Sequence, residues 1–100
     1  MKVTINEQEG RLVAALCGDF DNVASIQAES DLAPVFKCEN ADIVLDCTQL
    51  DYISSSGLRI LLSIFKSARG FGHKVILKGL NEDVNEVLEL SGFLPLFVVE

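Results

Sequence analysis

The chain has 100 residues, 49% hydrophobic and 23% charged, with 15 acidic against 8 basic residues and a formal net charge of −7. That length fits a single domain, residues 1–100, with enough apolar material for a core. The scattered basic residues and negative charge exclude recognition of nucleic acid or anionic membrane through Lys and Arg clusters, and no run approaches the ~20 apolar residues that span a bilayer.

Met1-Lys2-Val3-Thr4-Ile5-Asn6-Glu7 alternates and turns acidic at once. It does not read as a signal peptide, so the chain is expected in the cytoplasm. Val3–Ile5 and Leu12–Cys17 read as two strands of a hairpin about the turn-forming Glu9-Gly10-Arg11. After the loop Gly18–Asn22, either Asp21 or Asn22 caps a helix. That helix is expected to carry Val23, Ile26, Leu32, Val35 and Phe36 toward the core, with Pro34 kinking it or splitting it in two.

Ile43–Cys47 reads as a short buried strand. After Ser54-Ser55-Ser56-Gly57 the pattern is helical to about Arg69, with Leu58, Leu61, Leu62, Phe65 and Ala68 on the apolar stripe and Arg59, Ser63 and Lys66 on the wet one. Gly70-Phe71-Gly72 ends it, and Lys74–Lys78 is the next strand. Asn81 caps a further helix with Glu82 and Asp83 in its positive first turn, Val84, Val87 and Leu88 on its apolar face, and Gly92 after it. Leu96–Val99 is expected to be the last strand. The order strand, strand, helix, strand, helix, strand, helix, strand predicts an α/β fold: a mixed sheet with parallel crossovers and packed helices.

Isolated Cys17, Cys38 and Cys47, an odd count, give no disulfide framework. They read as small buried apolar residues, and with His73 as the only histidine no metal site or cofactor is expected.

Ser54-Ser55-Ser56-Gly57 carries the chemistry. It falls where a strand gives way to a helix, so its backbone N–H groups lack intrahelical partners and the helix dipole is locally positive. A phosphate, bound or carried on a side chain, is well placed there. Gly57 is read as removing a Cβ that would crowd an approaching catalytic site or anion. Serine is also a preferred cap, and the residues alone leave both roles open. A hydrolase nucleophile has less support: GxSxG is absent, His73 is the only candidate base, and the SxxK match at Ser63–Lys66 lies mid-helix.

Gly18-Asp19-Phe20-Asp21, Ile43-Val44-Leu45-Asp46, Tyr52-Ile53-Ser54-Ser55-Ser56-Gly57-Leu58 and Leu90-Ser91-Gly92-Phe93 occur in an order that resembles the STAS family, over nearly the whole chain. The resemblance implies a stand-alone bacterial anti-sigma-factor antagonist rather than an enzyme, phosphorylated on Ser56. Its implied partners are an anti-sigma factor that is also a serine kinase and a manganese- or magnesium-dependent phosphatase of the PP2C type. The unphosphorylated form is then the one that binds the anti-sigma factor and frees the sigma factor to regulate transcription, and the free protein is a monomer.

Asp21 falls on the family's acidic loop residue beside the phosphorylatable turn. Ser54, Ser55, Gly57, Leu58 and Arg59 complete the implied partner and phosphate turn. Ser54 stands where many members carry Asp, and Arg59 where glycine is frequent. Arg59 either contacts the phosphate or the kinase, or simply faces solvent. The other reading is a non-catalytic scaffold or a small-anion or nucleotide-binding subunit of a transport or signalling complex.

Overall fold

A computed structural model describes all residues, Met1–Glu100. β1 (Lys2–Gln8) and β2 (Arg11–Phe20) pair antiparallel from Lys2↔Cys17 to Gln8↔Arg11. Glu9 and Gly10, with φ of 52° and 78°, make the two-residue turn between them. Two consecutive left-handed residues give a turn whose twist matches that of the strands.

Asp21, not Asn22, caps α1 (Asn22–Asp31), and Pro34 splits the helical segment instead of kinking it. A second short helix, α2 (Ala33–Phe36), starts afresh with the proline in its first turn, where a missing N–H breaks no bond. The expectation for Val23 and Ile26 is corrected. They are 76% and 82% exposed, whereas Ala24, Ala28 and Leu32 face the core at i, i+4 and i+8. Alanine on the inner face lets the helix lie close to its neighbours, and the larger side chains are left in solvent.

β3 runs from Ile43 to Ile53, six residues beyond the expected strand. Its pairing with β2 shifts register between Ala15 and Cys17 and between Gly18 and Asp19. These irregularities bury Cys47, Leu50 and Ile53 at a spacing of three, so the extension lacks the alternation that marks a strand. Burial pushes the Cys47 thiol up to about 12, and the nearby Asp46 charge adds to this. It is an inert core group.

α3 (Ser55–Gly70) buries Ile60 and Ile64 as well as Leu58, Leu61 and Ala68. β4 (Val75–Lys78) and α4 (Glu82–Leu90) follow, the latter capped by Asn81, whose side-chain oxygen accepts the Val84 N–H at 2.8 Å. The expected last strand is shorter: Leu94–Leu96 form a 3-10 turn and β5 is only Val98–Val99. Pro95 favours the turn, and Phe97 goes inward against Phe65 at 5.7 Å between ring centroids, edge to face.

The sheet order is β1-β2-β3-β4-β5, with every pair after the first parallel. Crossovers that step in one direction and keep the right-handed rule place all their helices on one face. Ala14, Leu16, Ile43, Leu45, Cys47, Val75 and Leu77 point to that face and join Leu32, Leu61, Ile64, Val84 and Leu88 in the core. The architecture is therefore the expected α/β fold, a mixed sheet with packed helices. No helix is long and apolar enough to cross a membrane.

Candidate functional site

β2 and β3 end level with one another, at Phe20↔Ile53. The next residue on each strand caps a helix, so α1 and α3 start side by side above the carboxyl ends of neighbouring parallel strands. Open α/β sheets commonly bind their ligands at this edge. The Ser54 N–H donates to the Phe20 carbonyl over 2.8 Å and ties the two starts together.

Each cap has its own hydrogen bonds. The Asp21 carboxylate accepts the Ala24 N–H at 2.8 Å, and the Ser25 hydroxyl donates to the Asp21 carbonyl at 2.8 Å. The half-buried Asp21 is thus fixed as the start of α1. The Ser54 hydroxyl accepts the Gly57 N–H at 3.1 Å, and the Leu58 N–H donates to the Ser54 carbonyl at 2.9 Å. Ser54 is 8% exposed, the one buried polar residue of the chain.

Cap duty falls on Ser54, which leaves Ser55 and Ser56 at the first two helical positions. Ser55 is exposed and Ser56 partly exposed, and neither hydroxyl bonds within the chain. Their backbone N–H groups are first-turn donors with no carbonyl one turn earlier to receive them. Ser56 therefore combines an accessible hydroxyl, unpaired amides and a positive dipole end.

The reading of Gly57 is corrected. It is buried, and a Cβ there would lie 2.9 Å from Ile53 Cγ1 and 3.0 Å from both the Phe20 ring and the Phe20 carbonyl oxygen. Gly57 lets α3 close onto the two strand ends and leaves outside space unchanged. Leu58 also points inward, into the core. Of the serine turn, only Ser55, Ser56 and Arg59 face outward.

Ser56 and Arg59 line a groove between α1 and α3, together with Asn22, Ser25, Ile26 and Glu29. Its volume, about 260 Å³, is below the roughly 300–1,000 Å³ of small-molecule pockets, so it suits a surface contact better than an enclosed nucleotide. Ile26, which lines the groove, is exposed, and so is Val23 three residues before it on α1. Sequence reasoning missed them as surface residues because their i, i+3 spacing is that of a core stripe. The signal that could have found them is the competing stripe Ala24, Ala28 and Leu32, which the core takes.

The geometry is that of a phosphate-compatible helix start held on a parallel sheet edge, the STAS arrangement. Residues 2–100 match the STAS domain family model, and the chain belongs to that family. It is 39% identical over 99 residues to BtrV of Bordetella bronchiseptica, a candidate anti-sigma factor antagonist, covering 99% of this chain and 85% of that one. Among solved structures it is similar to the anti-sigma factor antagonist SpoIIAA in its unphosphorylated form, with a TM-score of 0.81, 20% identity and coverage of 99% and 88%. The phosphorylated form of the Bacillus cell fate determinant SpoIIAA is also similar, at a TM-score of 0.73, 18% identity and coverage of 99% and 91%.

Proposed function

We propose that this STAS domain is an anti-sigma-factor antagonist, a regulatory binding protein without catalysis of its own, switched at Ser56. The observation that carries the reading is Ser56 itself: an unbonded hydroxyl, two residues past a buried cap, in the α1–α3 groove with exposed Ile26. The 39% identity to BtrV supports the same role.

The unphosphorylated surface docks on an anti-sigma factor that is also a serine kinase, and the sigma factor is released. The kinase moves the γ-phosphoryl group of ATP to the Ser56 oxygen. The bond to ADP breaks, and the hydroxyl proton passes to a base on the kinase. A metal-dependent phosphatase reverses the step with water, which supplies an oxygen to inorganic phosphate and a proton to the serine. The added −1.5 to −2 charge must shed its hydration if the docked surface is to close over it. A cost of about 3 kcal/mol weakens binding roughly a hundredfold. The fold need not change, because the helix dipole accommodates the charge locally. Cytoplasmic location follows from partners of this kind.

The test is incubation with the purified kinase partner and ATP, followed by mass-spectrometric mapping. Phosphate is expected on Ser56 alone. Ser56→Asp should lose partner binding, and Ser56→Ala should keep it but escape switching. Phosphate found elsewhere, or binding indifferent to Ser56→Asp, overturns the reading.

A further inference from the structure

Arg59 is the only basic side chain lining the groove that holds Ser56. It lies three residues further along α3, and residues at i and i+3 are surface neighbours with Cβ atoms about 5–6 Å apart. Helical side chains lean toward the helix N-terminus, so a residue covers the turn before its own Cα. Arg59 therefore reaches back over Ser55 and Ser56. It is exposed and makes no ion pair: the salt bridges of the chain are Arg11–Glu100 and His73–Asp42. Across the groove, the side-chain amide of Asn22 likewise makes no hydrogen bond within the chain.

These groups have one feature in common. An uncommitted guanidinium and an uncommitted amide line the groove that holds the Ser56 hydroxyl, at the free N–H end of α3, in a chain of net charge −7. Most basic side chains of the chain lack a carboxylate partner, and what sets Arg59 apart is its place in the groove with Ser56. Glu29 lines the same groove yet is not within ion-pairing distance of Arg59.

We propose that Arg59 is a built-in counter-ion for phosphoserine 56, drawing the phosphoryl group into the α1–α3 groove and holding it there as the dianion. This rests on the proposed phosphorylation of Ser56 and adds how the mark is retained and read. A free phosphoserine has its second ionisation near pH 6, so at mildly acidic pH part of its charge is lost. A guanidinium at hydrogen-bonding distance favours the doubly charged form. The phosphate then keeps its full charge into that range and sits in the groove that Ile26 lines.

The test installs phosphoserine at position 56 by genetic encoding, independent of any kinase, and follows its phosphorus NMR shift against pH. Replacing Arg59 by Gln should raise the second ionisation by roughly half a pH unit or more, and Lys should restore part of it. Lys66→Gln, two turns further along α3, should leave the titration unchanged. An identical titration in the parent and the Arg59→Gln protein overturns the proposal. Partner binding of the same phosphoserine proteins is a separate readout: full-strength binding by the phosphorylated parent sinks the switch, whatever the titration shows.

Discussion

The Ser54 amide donates to the Phe20 carbonyl over 2.8 Å, and the Ser54 hydroxyl accepts the Gly57 N–H at 3.1 Å. One buried serine thus joins the end of β2, the end of β3 and the first turn of α3. Ser54→Ala keeps the first bond and loses the second, stranding a donor in a closed space. The expected cost is about 1–2 kcal/mol, a fall in Tm of roughly 4–8 °C per kcal/mol by circular dichroism. Ser54→Asp, which can still cap, should retain most of the stability.

Two glycines of α3 should respond in opposite directions. Gly57→Ala gains helix propensity, but its methyl meets Ile53 Cγ1 at 2.9 Å and the Phe20 carbonyl oxygen at 3.0 Å. Backbone cannot yield as a flexible side chain can, so overpacking by about 1–3 kcal/mol outweighs a propensity gain of at most about 1. Gly70→Ala meets nothing within 4 Å and should stabilise by up to about 1 kcal/mol. Urea midpoints at unchanged slope measure both.

Ile26 separates binding from folding. At 82% exposure it contributes little to the core, so Ile26→Asp should change stability by no more than about 0.5 kcal/mol. The same change puts a charge in the Ser56 groove and should weaken association with the proposed anti-sigma-factor partner at least tenfold, as read by calorimetry. Unchanged affinity would move the docking surface away from α1.

Acid should unfold the protein partly through Asp42 and Asp46. The Lys74 backbone N–H holds the Asp42 carboxyl below its ordinary 3.8, with His73 at 3.2 Å assisting against desolvation, and the Thr48 hydroxyl does most of the same for Asp46. A carboxylate depressed in the folded state stabilises it above the unfolded value of 3.8, and that contribution fades as pH falls through the lower folded value. Their share of the stability should therefore be lost below about pH 4, a modest contribution because both carboxylates are largely solvated. Asp42→Asn should be less stable at pH 7 and lose less on acidification, as followed by Tm against pH.

Much of this was legible in the sequence where local chemistry and tertiary packing agree. The Glu9-Gly10 turn, the Asn81 cap with Glu82 and Asp83, and the α3 stripe through Leu58, Leu61 and Ala68 all follow from short-range rules. The far half of β3 did not, because register shifts against β2 replace alternation with a spacing of three. Val23 and Ile26 were hidden for a different reason. Large apolar residues at helical spacing look the same whether they meet a core or stand ready for another molecule, and only the seating of Ala24 and Ala28 decides. The serine turn was legible as a region but not residue by residue. Which of three adjacent hydroxyls is buried depends on where the strand stops, a tertiary fact.

Neighbouring serines divide their duties: Ser54 is enclosed and structural, while Ser56, two positions on, is idle as far as the fold is concerned. A chemical mark on an idle atom needs no rearrangement to be written or removed. If Ser56 is phosphorylated as proposed, the lifetime of the mark is that of the ester, and the domain would record a signal for as long as hydrolysis is withheld without having to change shape.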